Sequence, residues 1–140
     1  MENKSILITG GAGFIGSNLL DYMVKKYPKY KFVCLDLLTY AGNIHNLDGI
    51  RNLKNFTFVE GDICDRSLVE RIFQFYRING VIHLAAESHV DNSIDGPEVF
   101  IDTNIKGTFT LLDVAYSYWM EAPFTYKGHY RHAELDSASQ

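Results

Sequence analysis

The feature that most constrains the fold is a glycine-rich run, TGGAGFIG at residues 9–16, which lies between a strand-like and a helix-like segment. Ser5–Thr9, which leads into it, is short, apolar and rich in β-branched residues, as in a strand buried on both faces of a parallel sheet. Beyond the glycines, apolar residues recur at helical spacing from Phe14 until Pro28 ends the segment. Because glycines permit a tight turn and a close approach to the backbone, this order predicts the start of a βαβ unit.

The alternation of strands and helices continues along the chain. Further strands are predicted at residues 31–36, 56–62 and 80–86. Ser67 and Glu70 have capping-box spacing and predict a helix between the third and fourth strands, and residues 97–119 carry one broad apolar face of a long helix. We therefore expect an α/β fold, a Rossmann-type parallel sheet with helices on both faces, truncated after the fourth strand and its following helix.

Composition narrows the class of protein. With 140 residues, 46% of them hydrophobic, and a formal net charge of −4, one globular domain is expected. Lys and Arg are scattered, so no nucleic-acid partner is expected, and no apolar run is long enough for a membrane span or a signal peptide, which favours a cytoplasmic protein. Cys34 and Cys64 fit neither a metal nor a disulfide pattern and are expected to act as small buried hydrophobes.

A carboxylate at the end of the second predicted strand adds a second signal. Asp36 stands twenty residues after Gly16, where a carboxylate accepts hydrogen bonds from the adenosine ribose of a dinucleotide. A 2′-phosphate would meet a like charge there, with no Arg beside it to compensate. With a pyrophosphate on the helix N-terminus, these residues predict NAD rather than NADP; the alternative is that Asp36 only ends its strand at a turn.

The carboxyl ends of the third and fourth strands offer further contacts. In open α/β sheets ligands bind outside these ends, where the strand order reverses, which we expect between the first and fourth strands. Ala85 and Ala86 are small enough for a cofactor to lie close to the backbone, whereas Ser88 and His89 offer polar contacts toward a substrate.

Longer runs of residues resemble one family. They are ITGGAGFIGSN at residues 8–18, LTYAGN at 38–43, GDICDR at 61–66, HLAAESHVD at 83–91, SIDGP at 93–97 and TNI with GT at 103–108. On these runs, which cover nearly all of residues 4–119, the chain resembles the extended short-chain dehydrogenase/reductases. Within that family, LTYAGN and AAESHVD are similar to the dTDP-glucose 4,6-dehydratases.

The resemblance implies an NAD site, a nucleotide-sugar substrate and homodimers of the full-length protein. The residues implied to surround NAD are Gly10, Gly13, Phe14, Ile15, Gly16, Asp36, Thr39, Asp62, Ile63, Leu84, Ala85, Ala86 and Thr103, with Ser88 at the substrate edge. The implied reaction oxidises the sugar at C4, eliminates water across C5 and C6 and returns the hydride to C6. Two positions depart from the family: Leu37 replaces a usual Lys and Asn92 a usual Arg, and Leu37 is expected to weaken cofactor affinity.

No catalytic residue is assigned. The family's Tyr-x-x-x-Lys pair and Asp-Glu pair lie beyond a fifth strand, and none of these groups is present after Trp119. Tyr22 with Lys26, and Tyr27 with Lys31, match the spacing but are expected on the far side from the strand carboxyl ends, as chance matches.

The chain is expected to divide at residue 119. Residues 1–119 would be an NAD-binding Rossmann half-domain, and residues 120–140 a disordered tail outside the family pattern, from a truncated or frameshifted reading frame. His129 and His132 in that tail would make a poor metal site, so no metal is expected. Two alternatives stay open: a non-catalytic NAD-binding or interaction module, and a fragment of a related nucleotide-sugar epimerase or dehydratase.

Overall fold

Four parallel strands form the central sheet of the computed structural model, which describes residues 3–39, 42–86, 97–122 and 125–127. The strands are β1 (Ser5–Thr9), β2 (Lys31–Asp36), β3 (Phe56–Glu60) and β4 (Gly80–His83), in the order β3-β2-β1-β4. The order reverses between β1 and β4, as predicted. The predicted Rossmann-type parallel sheet is therefore confirmed.

Helices cover both faces of this sheet. They are α1 (Phe14–Lys26), α2 (Arg66–Tyr76), α3 (Pro97–Ile101) and α4 (Thr108–Trp119). Successive residues of β2 alternate between two apolar clusters: Phe32 and Cys34 pack with α1, while Val33 and Leu35 pack with α2 and α4. All four side chains are fully buried, which explains why the strand is a continuous apolar run without alternation.

Two strands end earlier than predicted. β3 ends at Glu60 and not at residue 62, because Asp62 begins a turn in which its carboxylate accepts a hydrogen bond from Cys64 N at 2.9 Å. β4 ends at His83 and not at residue 86. The carboxyl ends of both strands therefore become loops, which face the region where a ligand is expected.

The N-cap of α2 is Asp65 rather than the predicted Ser67. The Asp65 side chain accepts a hydrogen bond from Leu68 N at 3.2 Å, and Ser67 lies inside the first turn. Both residues are good N-caps, so the sequence pattern alone did not distinguish them.

The predicted helix over residues 97–119 is interrupted. A π-helical segment, Asp102–Gly107, joins α3 to α4. Gly107 packs directly on Ile63: a Cβ atom at this glycine would lie less than 2.5 Å from the Ile63 Cδ1 atom. π segments are rare and often occur at functional sites, and this one carries Thr103 to the cavity described below.

The described part of the expected tail is ordered. Met120–Ala122 and Thr125–Tyr126 pair as a small antiparallel two-stranded sheet, and Lys127 N donates to Trp119 O at 2.8 Å. These five residues are therefore in strands, which the sequence did not predict because strands this short leave no periodic pattern. The disorder expected over residues 120–140 as a whole stays a prediction. His129 and His132 lie outside the described residues.

None of the helices in the described ranges is long and apolar enough to span a bilayer.

Candidate functional site

A cavity of about 440 Å³ opens at the carboxyl ends of the strands. All thirteen residues predicted to bind the cofactor line it, namely Gly10, Gly13, Phe14, Ile15, Gly16, Asp36, Thr39, Asp62, Ile63, Leu84, Ala85, Ala86 and Thr103. Leu35, Leu37, Gly42 and Gly61 complete the lining. The structure brings the predicted residues together, and their binding of a cofactor stays a prediction. Ser88 and His89, predicted on the substrate side, lie outside the described residues.

The glycine turn forms one wall of the cavity, and two of its glycines are required by close contacts. Gly10 has a φ of +72°, which L side chains rarely adopt, and a Cβ there would lie 2.6 Å from Ala85 N. A Cβ at Gly16 would lie 2.5 Å from Gly10 O. The first contact holds the glycine turn close to the loop after β4, and the second packs α1 onto the same turn.

The N-terminus of α1 presents unused hydrogen-bond donors to the cavity. The amides of Phe14, Ile15 and Gly16 make no hydrogen bond to another described residue, and the N-cap Gly13 supplies no side chain. The side chains of Phe14 and Ile15 are 82% and 71% exposed, so they do not shield these amides by packing over them. Free amides and the positive end of the helix dipole together suit an anion such as a pyrophosphate.

Asp36 is fixed in place by backbone amides at the edge of the cavity. Ala12 N donates to Asp36 Oδ2 at 2.9 Å, and Leu38 N donates to Asp36 Oδ1 at 2.8 Å. Each carboxylate oxygen retains capacity for another hydrogen bond. No Lys or Arg occurs among the described lining residues, so this edge offers an acceptor to hydroxyl groups and no counter-charge to a phosphate.

The long loop after β2 is anchored to the glycine turn, a role that sequence reasoning missed. Asn46 Nδ2 and Asn43 N both donate to Ala12 O, at 2.9 and 3.2 Å, and Leu47 and Ile50 are buried. Since Ala12 N already donates to Asp36, both backbone groups of Ala12 are held. The length of the loop and its Asn residues were the only signal of this role in the sequence.

Cys64 links the loop after β3 to the π segment. Its Sγ donates to Asp102 O at 3.0 Å; burial, helped by the nearby Asp62 carboxylate, raises the pKa of the thiol to about 11, so it stays protonated. This side chain is only partly buried, in contrast to the prediction. Cys34 is the fully buried hydrophobe that was predicted, and burial raises the pKa of its thiol to about 12.

The residues with Tyr-x-x-x-Lys spacing lie away from the cavity. Lys26 Nζ donates to Tyr22 OH at 2.7 Å on the exposed surface of α1, and Lys31 bonds to Thr57 at the amino-terminal end of β2. None of them lines the cavity.

Within the described ranges, no cluster of three or more His, Cys, Asp or Glu side chains could hold a metal ion.

Comparison with protein families gives one extensive match. The family model described as GDP-mannose 4,6 dehydratase matches residues 7–128. That match continues past residue 119, and the division of the chain predicted there stays a prediction.

Curated relatives are also named as nucleotide-sugar dehydratases. The dTDP-glucose 4,6-dehydratase of Salmonella typhimurium is 48% identical over 126 residues, which cover 90% of this chain and 35% of that protein. The enzyme of the same name from Neisseria gonorrhoeae is 48% identical over 120 residues, covering 86% of this chain and 34% of that protein. The chain thus spans about a third of the length of the relatives it matches.

Solved structures share the fold. The dTDP-glucose 4,6-dehydratase of Bacillus anthracis in complex with NAD superposes with a TM-score of 0.73 at 39% identity, covering 82% of this chain and 34% of that one. The enzyme from Streptomyces venezuelae with NAD and TYD bound gives 0.72 at 44% identity, with 81% and 36% covered. The UDP-glucose 4-epimerase of Thermotoga maritima gives 0.72 at 38% identity, with 81% and 34% covered. With the family model matching most of its length, the chain belongs to the GDP-mannose 4,6 dehydratase family and is a homologue of the dTDP-glucose 4,6-dehydratases.

Proposed function

We propose that the cavity binds NAD. The observation that carries the proposal is the placement of two complementary groups on one cavity: the free amides of Phe14, Ile15 and Gly16, and the carboxylate of Asp36. The amides suit a pyrophosphate and the carboxylate suits the ribose hydroxyls of the adenosine half. Two relatives of the same fold were solved with NAD bound, which supports this choice of ligand.

The same geometry favours NAD over NADP. A 2′-phosphate would be placed near Asp36, and none of the described lining residues carries a positive charge to offset the repulsion. Exposed Leu37, next in the chain, adds apolar surface but no donor. When bound, NAD supplies a group that accepts and returns a hydride.

For the whole protein we propose dehydration of dTDP-glucose to dTDP-4-keto-6-deoxyglucose, with a nucleotide sugar as the small-molecule partner. Identities of 44–49% to proteins named dTDP-glucose 4,6-dehydratase support this. Epimerase chemistry is the second candidate, because a UDP-glucose 4-epimerase superposes as well as the dehydratases do. The identity to that epimerase, 38%, is lower than the 44–49% to these dehydratases, which favours the dehydratase.

Calorimetric titration of the purified chain with NAD and with NADP tests the cofactor proposal. NAD should bind more tightly, and Asp36→Ala should narrow the difference between the two. Asp48→Ala, which removes an exposed carboxylate on the surface of the loop after β2, is the control and should leave the ratio unchanged. Equal affinities, or tighter binding of NADP by the unsubstituted chain, would refute the proposal.

A further inference from the structure

Three side chains behind the cavity wall form one continuous hydrogen-bonded chain. Thr9 Oγ1 lies 2.6 Å from His83 Nδ1, and His83 Nε2 lies 2.9 Å from Thr108 Oγ1. The chain thereby joins β1, β4 and α4. None of the three residues lines the cavity, so a role for them must act through other groups.

The Thr108 end fixes which ring nitrogen of His83 carries the proton. The Thr108 hydroxyl lies 3.0 Å from Asn104 O, and since a carbonyl oxygen can only accept, the hydroxyl donates its single hydrogen there. The contact between Thr108 and His83 then needs its hydrogen from the ring. His83 Nε2 must therefore be the protonated nitrogen.

The Thr9 end agrees with this tautomer. Thr9 Oγ1 accepts a hydrogen bond from Ala85 N at 3.2 Å, while Leu84 N shares its hydrogen between Thr9 Oγ1, at 3.1 Å, and Thr9 O, at 2.9 Å. When Nε2 carries the single hydrogen of a neutral ring, Nδ1 is an acceptor, and the Thr9 hydroxyl donates its hydrogen to Nδ1.

The surroundings of His83 agree with a neutral ring. The ring is partly buried, and burial lowers the pKa of the imidazole below its ordinary value. Protonation would add a hydrogen to Nδ1 and so reverse the hydrogen bond between Nδ1 and the Thr9 hydroxyl.

The chain ends on backbone that forms the cavity. Thr9 Oγ1 accepts the hydrogen bond from Ala85 N, and both Leu84 and Ala85 line the cavity. Opposite them stands Gly10, whose contact with this backbone leaves no room for a Cβ atom. The hydroxyl of Thr9 therefore sets how closely the loop after β4 approaches the glycine turn.

We propose that His83 is a positioning residue for the cofactor site: as the neutral Nε2–H tautomer it orients the Thr9 hydroxyl, which holds the Leu84 and Ala85 backbone against Gly10. It also couples this wall to Thr108, one residue beyond the π segment that carries Thr103. The inference that this backbone serves a cofactor rests on the proposed binding of NAD, whereas the tautomer and the hydrogen-bonded chain do not.

The tautomer is tested by long-range ¹H–¹⁵N NMR of the imidazole rings of the ¹⁵N-labelled chain. The His83 signals are identified by their loss in His83→Asn. At neutral pH we expect a pyrrole-type Nε2 and a pyridine-type Nδ1. Thr108→Val removes the acceptor of the Nε2 hydrogen and should mix the two tautomers, whereas Thr108→Ser should restore the single one. A protonated ring or the Nδ1–H tautomer in the unsubstituted chain would overturn the proposal.

The positioning role is tested by two substitutions that each keep one arm of the ring. Asn at position 83 places an amide oxygen where Nδ1 stood and keeps the acceptor for Thr9; Gln places an amide nitrogen where Nε2 stood and keeps only the donor to Thr108. We expect His83→Asn to stay within about twofold of the unsubstituted NAD affinity. His83→Gln should weaken it about fivefold to tenfold, the effect of one lost hydrogen bond. Hydrogen exchange at the Ala85 amide should accelerate only in His83→Gln.

Equal effects of the two substitutions on Ala85 exchange would overturn the positioning role, whatever the affinities. If the unsubstituted protein binds no NAD, the proposed function fails, and the NMR and exchange results still test whether Thr9, His83 and Thr108 are hydrogen-bonded as described.

Thr9→Val and Thr9→Ser give a second matched pair. Both fill a buried position, but only Ser keeps a hydroxyl, so Ala85 exchange should accelerate in Thr9→Val alone.

Discussion

Gly10 and Ala85 pack backbone against backbone, so closely that a single methyl group on Gly10 would lie 2.6 Å from Ala85 N. The contact joins the glycine turn after β1 to the loop after β4, which are the two walls of the candidate cofactor cavity. Sequence reasoning assigned each of these segments to the cofactor separately. Their direct contact shows that they form one structural unit, and that a change in either wall will reach the other.

Gly10→Ala should therefore be strongly destabilising. The left-handed φ of +72° costs an L residue about 1–2 kcal/mol, and the clash with backbone atoms of Leu84 and Ala85 adds to that cost because backbone cannot rotate away. We expect a loss of at least about 2 kcal/mol in the free energy of unfolding, measured by urea denaturation. Gly49→Ala is the matched control: its Cβ would meet the ends of the Asp21 and Lys25 side chains, at 3.2 and 3.9 Å, and both side chains can move. Equal losses in the two variants would contradict the argument.

The parts of the site that sequence could predict are those set by spacing along the chain. The glycine turn and Asp36 were predicted because a strand, a turn and a helix fix their relative positions within one βαβ unit. The chain from Thr9 through His83 to Thr108 could not be predicted, since it joins residues 74 and 25 positions apart. Their meeting depends on the order of the strands and on the packing of α4.

The same distinction applies to the elements that differ from prediction. The π segment interrupts a run whose apolar pattern is helical throughout. Gly107 packs on Ile63 and Cys64 Sγ donates to Asp102 O, and no local pattern encodes either contact. Asn46 likewise contacts Ala12 across 34 positions of the chain. Tertiary packing decides these features.

Stability should fall as the pH drops below the ordinary pKa of histidine, 6.5. Burial lowers the pKa of His83 in the folded chain, so the unfolded chain binds a proton first as the pH falls. The contribution of His83 is fully present above pH 6.5 and is lost as the pH falls toward its folded pKa. The free energy of unfolding, measured from pH 8 to about pH 5, should show a smaller slope in His83→Asn than in the unsubstituted chain. An unchanged slope in His83→Asn would show that the transition has another source.

The purified chain should associate with itself. In the described part of the molecule β4 pairs only with β1, so its other edge offers backbone groups to another strand. Close by, α4 exposes 64% of Phe109 and 65% of Leu112. Sedimentation velocity should show dimers or larger species, and Leu112→Glu should shift them toward monomer if the helix surface takes part. Phe75→Glu, which changes an apolar residue on α2 that is 79% exposed, should leave the association unchanged. A monodisperse monomer over the accessible concentration range would contradict the prediction.

The chain on its own should have no measurable dehydratase activity, even with NAD and dTDP-glucose supplied. Among the described residues that line the cavity, the only titratable side chains are Asp36 and Asp62, and both carboxylates accept hydrogen bonds from backbone amides. General acid–base groups each contribute about a hundredfold to ten-thousandfold in rate. The carboxylates of Asp36 and Asp62 bind backbone amides and so stabilise loops, and we do not expect them to transfer protons. Tyr22 and Lys26, which have the spacing of a catalytic pair, lie away from the cavity. The chain is incubated with both ligands, and the 4-keto-6-deoxy product is sought by its absorbance in alkali. Turnover above a control without protein, abolished by Tyr22→Phe, would place the catalytic base on α1 and overturn the assignment of the cavity as a site that only binds.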